Sequence, residues 1–304
     1  MAQDFKTYAD LAMRDPDVSG LRPVIEKEIL HYEILKVMSE VGALNSLVFQ
    51  GGTALRLCHG GVRYSEDLDF SGGPAFSRAD ISSLVETIRE RISEKTGLPV
   101  EIREPKEAKD IGGDPVKVAT WSIRIQTEPE RRNLPSQKIK VDIDTSTSFQ
   151  VESAQLLMNY DFLPKSFGDF ILPVQSAAEI MSNKALALPV SIVSRGRARN
   201  RDIWDLRWLG QRRISPDIGI LKAKASEHAV ADIQGTIEEA LDRLTDIIEG
   251  QDFIGEMRRF LPVSVFEKTI RNPDYRKILS RSTEDFFRQI LNGLEAKPCD
   301  GFEY

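Results

Sequence analysis

Leu21, Ile25, Ile29, Tyr32, Leu35 and Met38 recur at three- and four-residue intervals, which places them on one face of a helix. The pattern predicts an amphipathic helix over 21–41, stopped at Gly42, behind a loose arm of twenty residues. Ser46 to Gln50 is a short apolar run of strand type, broken by Gly51-Gly52. A short helix from Thr53 to about Cys58 and a Gly60-Gly61 turn follow. Asp67-Leu68-Asp69-Phe70 then alternates polar and apolar, the period of a half-buried strand. Arg78 to Lys95 reads as a second helix ended by Gly97. Strands are expected over Pro99–Arg103, Val116–Gln126 and Gln137–Thr145, the first two separated by a Gly112-Gly113-Asp114-Pro115 turn. After Pro173 helical patterns take over, at 176–188, 201–212, 216–231, 235–249 and 283–295. The texture predicts an α/β (α+β) chain: a mixed sheet with flanking helices over 1–173, then a mainly helical domain over 174–304.

Composition narrows the setting. A chain of 304 residues suffices for two lobes, each with its own core. No window approaches the ~20 apolar residues of a membrane span, and the N-terminus lacks the apolar core of a signal peptide. Cys58 and Cys299 are the only cysteines and have no metal-ligand spacing, so a reducing cytoplasm is expected. With 41 basic and 47 acidic residues the net charge is -6, so contact with a nucleic acid requires a local basic patch.

The segment that carries chemistry is Phe49 to Phe70, FQGGTALRLCHGGVRYSEDLDF. Glycines let backbone approach phosphates closely, and amides opening a helix can bond their oxygens. Residues i and i+2 of a strand share a face, so Asp67 and Asp69 can share one ion or bridge two. Oxygen ligands of this kind suit Mg²⁺ or Mn²⁺ together with the phosphates of a nucleoside triphosphate. A third carboxylate is expected from Asp142, with Asp144 on the same face as the alternative. A bare D-x-D is commonly a solvated strand face; the Gly-Gly-Thr ahead of it is what singles this one out.

Those residues resemble the DNA polymerase β-like nucleotidyltransferases, with their Gly-Gly or Gly-Ser turn, short helix and D-x-D. More closely, Gly51-Gly52-Thr53-Ala54-Leu55 and Arg63-Tyr64-Ser65-Glu66-Asp67-Leu68-Asp69 resemble the AbiEii/AbiGii (MenT-like) toxin family of bacterial toxin–antitoxin systems. The resemblance covers roughly 45–210. It implies nucleotide-binding roles for Gly51, Gly52, Thr53, Arg63 and Ser65, and a cognate antitoxin that in some relatives phosphorylates the position of Ser65. It further implies a functional lysine on the first helix after the sheet and an R-D-x-x-D-like element. Here these are Lys184, the one charge on the apolar stripe Ala177, Ile180, Met181 and Leu188, and Asp202, with Asp205 as the alternative.

Seven arginines between 195 and 213 make a concentrated positive stretch on an acidic chain. Arg195, Arg197 and Arg199 are expected to hold the triphosphate or a nucleic-acid acceptor. Trp204 and Trp208 read as core, and His31 and His59 as structural or surface residues. The expected reaction is attack by an acceptor hydroxyl on the α-phosphate of an NTP. By resemblance the acceptor is RNA, with the tRNA 3′ end in the lead. The alternatives are a protein or small-molecule acceptor, or a non-catalytic nucleotide-binding module on the same fold.

Overall fold

A computed structural model of the chain describes residues 2–105, 115–130 and 136–295. Cys299 and all but Pro115 of the expected 112–115 turn lie outside them. Seven strands, β1 (Val48–Gln50), β2 (Leu68–Ser71), β3 (Val100–Arg103), β4 (Val118–Ile125), β5 (Gln137–Asp144), β6 (Val151–Gln155) and β7 (Ile171–Gln175), form one sheet. Their order is β3-β4-β5-β2-β1-β7-β6. The sheet is mixed: β2 pairs parallel with β5 and β1 parallel with β7, the remaining pairs being antiparallel.

Five helices precede β3: α1 (Ala2–Ala12), α2 (Arg22–Glu40), α3 (Gly51–Leu57), α4 (Arg78–Ser82) and α5 (Val85–Thr96). After β7 come α6 (Ala177–Arg195), α7 (Asn200–Gln211), α8 (Ile218–Glu227), α9 (Ile233–Glu249), α10 (Gln251–Arg258), α11 (Val263–Lys268) and α12 (Pro273–Glu295). The α/β reading with a helical C-terminal part therefore holds.

The expected amphipathic helix is α2, but it is enclosed on nearly every side. It packs against β5 on one side and against α1 and α5 on others. Two of its three buried carboxylates are paired, whereas Glu33 Oε2 has no hydrogen-bond partner among the described residues. Glu28, 1% exposed, takes the Arg56 guanidinium at 2.9 and 3.1 Å, while Glu26 takes Arg22 and Gln137. The loose arm expected over the first twenty residues is instead the helix α1. Phe5, Ala9 and Ala12 bury one side of it, and Tyr8 packs against Phe162 and Phe167.

Two other expectations need revision. The single helix expected over 78–95 is divided into α4, started by a Ser77–Asp80 capping box, and α5. Strands β6 and β7 lie where no strand was expected, and residue 173 falls inside β7, so the sheet runs on to Gln175.

The sheet is two-faced. Along β5 Ile139, Val141 and Ile143 are buried beneath α2, whereas Lys138, Lys140, Asp142 and Asp144 lie on the other side. β4 alternates in the same way, with Ala119, Trp121, Ile123 and Ile125 buried.

Candidate active site

β1 ends at Gln50, and Gly51 turns the chain with φ of 77°. That is a left-handed conformation, and a Cβ there would also run into the Asp69 carboxylate, so glycine is required twice over. A Cβ at Gly52 would come 2.5 Å from Arg63 Nη2 and 3.1 Å from Ser65 Oγ. The chain then passes through α3 and returns as β2, which sets Asp69 opposite Gln50 of β1 and opposite Asp142 of β5. Register thus makes Asp69 and Asp142 neighbours on one face.

Electrostatics at this cluster run against its own carboxylates. Burial, then the nearby charges of Asp142 and Asp67, push the Asp69 carboxyl up to about 7. Asp142 is raised too, foremost by burial, and its Oδ1 is buried with no hydrogen-bond partner among the described residues. Asp144 differs: it accepts from Gln50 Nε2 (2.7 Å), Ser146 N (3.0 Å) and Ser146 Oγ (2.6 Å). Asp67 accepts from the Lys140 amide at 3.0 Å, and Lys140 Nζ stands 3.7 Å away. Among the described residues no three His, Cys, Asp or Glu side chains form a ready metal-binding group. An orphaned carboxylate oxygen beside crowded like charges nevertheless fits a hard divalent cation, which often takes one or two carboxylates and fills its shell with substrate phosphates.

Facing the carboxylates is a chain of alternating charge, buried except at Arg199. Lys184 of α6 sits 2.5 Å from Asp202 Oδ1 and 3.0 Å from Asp205 Oδ2. Arg199 Nε meets Asp202 Oδ2 at 2.6 Å, and Arg63 grips Asp205 with Nε at 2.8 Å and Nη2 at 2.6 Å. Burial alone would raise both aspartates, but the cations outweigh it: Lys184 and Arg199 lower Asp202, Arg63 and Lys184 lower Asp205. Both remain ionised, and each touches the lysine.

A cavity of about 410 Å³ separates the two groups. Gly51, Gly52, Asp69 and Asp142 line it from the sheet side, and Lys184, Arg195, Arg199 and Asp202 from the helices. Val118, Ala187, Val190 and Val230 give it an apolar stretch. The sequence reading missed Gln50, which orients Asp144, and Lys224, which lines the wall. Lys224 is 2% exposed, ion-paired to the buried Glu179 at 3.3 Å and bonded to the Thr147 carbonyl. Gln50 was detectable as the one polar residue ending an apolar strand run; nothing in the local pattern marks Lys224.

Thr53, Arg63 and Ser65 stand behind the cavity rather than on its wall. Thr53 Oγ1 donates to the Asp67 carbonyl at 2.5 Å, Arg63 holds Asp205, and Ser65 is 6% exposed beside Gly52. The arginine stretch does not form one face either. Arg195 and Arg199 line the cavity, Arg201 pairs with Glu256 over the Phe260 ring, and Arg212 stacks on Trp208. Arg197 is exposed, with backbone bonds to Ser191. Trp204 and Trp208 are core, and His31 and His59 bond the carbonyls of Glu66 and Gln175.

Among solved structures the fold is similar to that of MenT4, a nucleotidyltransferase toxin from Mycobacterium tuberculosis H37Rv, with a TM-score of 0.50 and 17% identity over 97% of this chain and 99% of that one. JHP933 from Helicobacter pylori matches over 90% of this chain and 98% of its own, at 18% identity and a TM-score of 0.42. No curated protein matches the sequence. A family model described as the nucleotidyl transferase AbiEii toxin of a type IV toxin–antitoxin system matches residues 33–296. That span holds β1 to β7, the carboxylate cluster and the lysine–aspartate chain, and by it the protein belongs to the AbiEii family of nucleotidyltransferase toxins.

Proposed function

We propose that the cavity binds an NTP and that the protein transfers its nucleoside monophosphate to an RNA hydroxyl, the 3′ end of tRNA being the leading acceptor. The observation that carries this is the juxtaposition of an under-neutralised carboxylate cluster with a cationic wall across one cavity. In the reaction the acceptor hydroxyl gives up its proton to solvent, its oxygen bonds to the α-phosphorus, and the bond from that phosphorus to the bridging oxygen breaks, releasing pyrophosphate. A bound Mg²⁺ or Mn²⁺ would neutralise phosphate charge and make the acceptor hydroxyl more acidic.

Asp69 and Asp142 would hold that ion, with Asp67 flanking them. Asp142 is favoured over Asp144, whose oxygens are already taken by Gln50 and Ser146. Lys184, Arg195 and Arg199 would meet the charge gathering on the departing pyrophosphate. Asp202 and Asp205 fix the lysine ammonium in place, the absent side chain at Gly51 leaves room beside Asp69, and that at Gly52 leaves room beside Arg63 and Ser65. Capping the tRNA 3′ end would block aminoacylation and translation, and a cognate antitoxin would restrain the enzyme. Wild type and Asp69→Ala are incubated with Mg²⁺, total tRNA and each α-³²P-labelled NTP in turn. Label is expected in tRNA with the wild type alone. Absence of label with all four NTPs would overturn the RNA reading and direct the search to protein or small-molecule acceptors.

A further inference from the structure

Beyond the cavity, the face of the sheet that carries Asp142 continues outward over β5, β4 and β3. Its half-exposed positions alternate with buried ones along β4 and most of β5, and on β3 the exposed Glu101 and Arg103 alternate with the half-buried Val100 and Ile102. The helices α2 and α5 pack on the opposite face. On the open face Lys140 lies opposite Ser122, and Ser122 opposite Arg103; one step further out Lys138 lies opposite Arg124, and Arg124 opposite Glu101. Outside the aspartates, four basic side chains thus stand against a single acid, Glu101, which pairs with Arg103 at 2.7 Å. On a chain of net charge -6 this is a local reversal of sign. Two donors within it, Arg124 Nε and Ser122 Oγ, are buried from solvent and have no hydrogen-bond partner among the described residues.

The strip begins where the acceptor must arrive. Lys140 is two residues from Asp142 on the same face and 3.7 Å from the Asp67 carboxylate. Same-face residues on a strand repeat every ~6.6 Å, close to the separation of successive phosphates in an extended single strand. Arg195 and Arg199, the basic residues expected to take the acceptor, line the nucleotide cavity instead.

Resting on the RNA reading above, we propose that the acceptor strand runs over this open sheet face, its phosphates held by Lys140, Lys138, Arg124 and Arg103, with its 3′ hydroxyl delivered to Asp142. The strip holds backbone phosphates and reads no base, so it should accept single-stranded RNA ends of any sequence.

The test uses the full chain and a fluorescein-labelled 20-nucleotide single-stranded RNA ending in CCA, followed by anisotropy across a salt series. Lys138→Glu combined with Arg124→Glu should weaken binding at least ~10-fold and flatten the log Kd against log salt slope by about 1.4, at ~0.7 per neutralised phosphate on a single strand. Affinity for a fluorescent ATP analogue should stay within twofold. Because Arg124 is half-buried, Lys138→Gln with Arg103→Gln, both exposed, provides a second pair and should lower affinity in the same direction. If the wild type labels tRNA and both pairs bind RNA and transfer as it does, the strip is overturned and the transferase reading stands. If the wild type neither binds nor labels RNA, both fall together.

Discussion

Arg63 and Asp205 are 142 positions apart in the chain, yet they make a two-bond ion pair in which each side chain is at most 6% exposed. Breaking it from one side is costly, because the Arg63 guanidinium would keep the Tyr64 carbonyl but lose its contacting carboxylate, with little water to replace it. Asp205→Asn should therefore cost about 3 kcal/mol of stability, read from urea denaturation. The double variant Arg63→Met, Asp205→Leu should recover much of that loss. A single-mutant cost below ~1 kcal/mol would show that water reaches the pair. The same substitution also slackens Lys184, which Asp205 holds at 3.0 Å, so transfer activity should fall by more than the loss of folded protein accounts for.

Among the elements, the turn from β1 into α3 bears most directly on the site. Gly51→Ala places a Cβ at a φ of 77° and against the Asp69 carboxylate. A left-handed non-glycine residue costs about 1–2 kcal/mol, and displacing Asp69 should lower kcat of nucleotide transfer at least ~10-fold, since misplacement of ~1 Å can cost 100-fold. Gly73→Ala, also at positive φ but with open space around its would-be Cβ, is the control. It should lose stability while keeping kcat, and equal kcat losses in the two variants would sink the argument. Element boundaries also show where patterning misleads. The helical pattern was expected to end at 188, yet α6 continues through Pro189 to Arg195. Burial of Leu186, Leu188, Pro189 and Ile192 keeps the helix running past a residue that disfavours it locally.

Across the whole molecule, polar contacts tie the sheet to the C-terminal helices at several independent points. Glu179 of α6, fully buried, accepts the amides of Phe149 and Gln150 and pairs with Lys224 of α8. The Tyr64 amide donates to the Phe260 carbonyl, and Arg63 reaches α7. Opening either part would expose these charges without partners, so the two parts should unfold together. Scanning calorimetry is expected to give one transition whose calorimetric and van't Hoff enthalpies agree; two resolved transitions would make the parts separable domains.

The linear order of residues was enough for the strand–Gly-Gly–helix–D-x-D succession, the alternation of β5 and the apolar stripe of α6. Each depends on interactions within a few residues, where period and glycine placement govern backbone shape. The same local order identified Asp67, Asp69, Asp142 and Lys184 as the residues to watch. Strands β6 and β7 escaped it because β6 is largely exposed and lacks the buried alternation that announces a strand. Nor could it place α1 against α2, see that Gln50 and Ser146 hold Asp144 while Asp142 Oδ1 has no partner among the described residues, or see that Thr53, Arg63 and Ser65 stand behind the cavity while Lys224 lines it. Those outcomes turn on which side chains meet across the sheet and between its two ends. Strand register and long-range charge pairing settle that, and neither leaves a periodic trace in the chain.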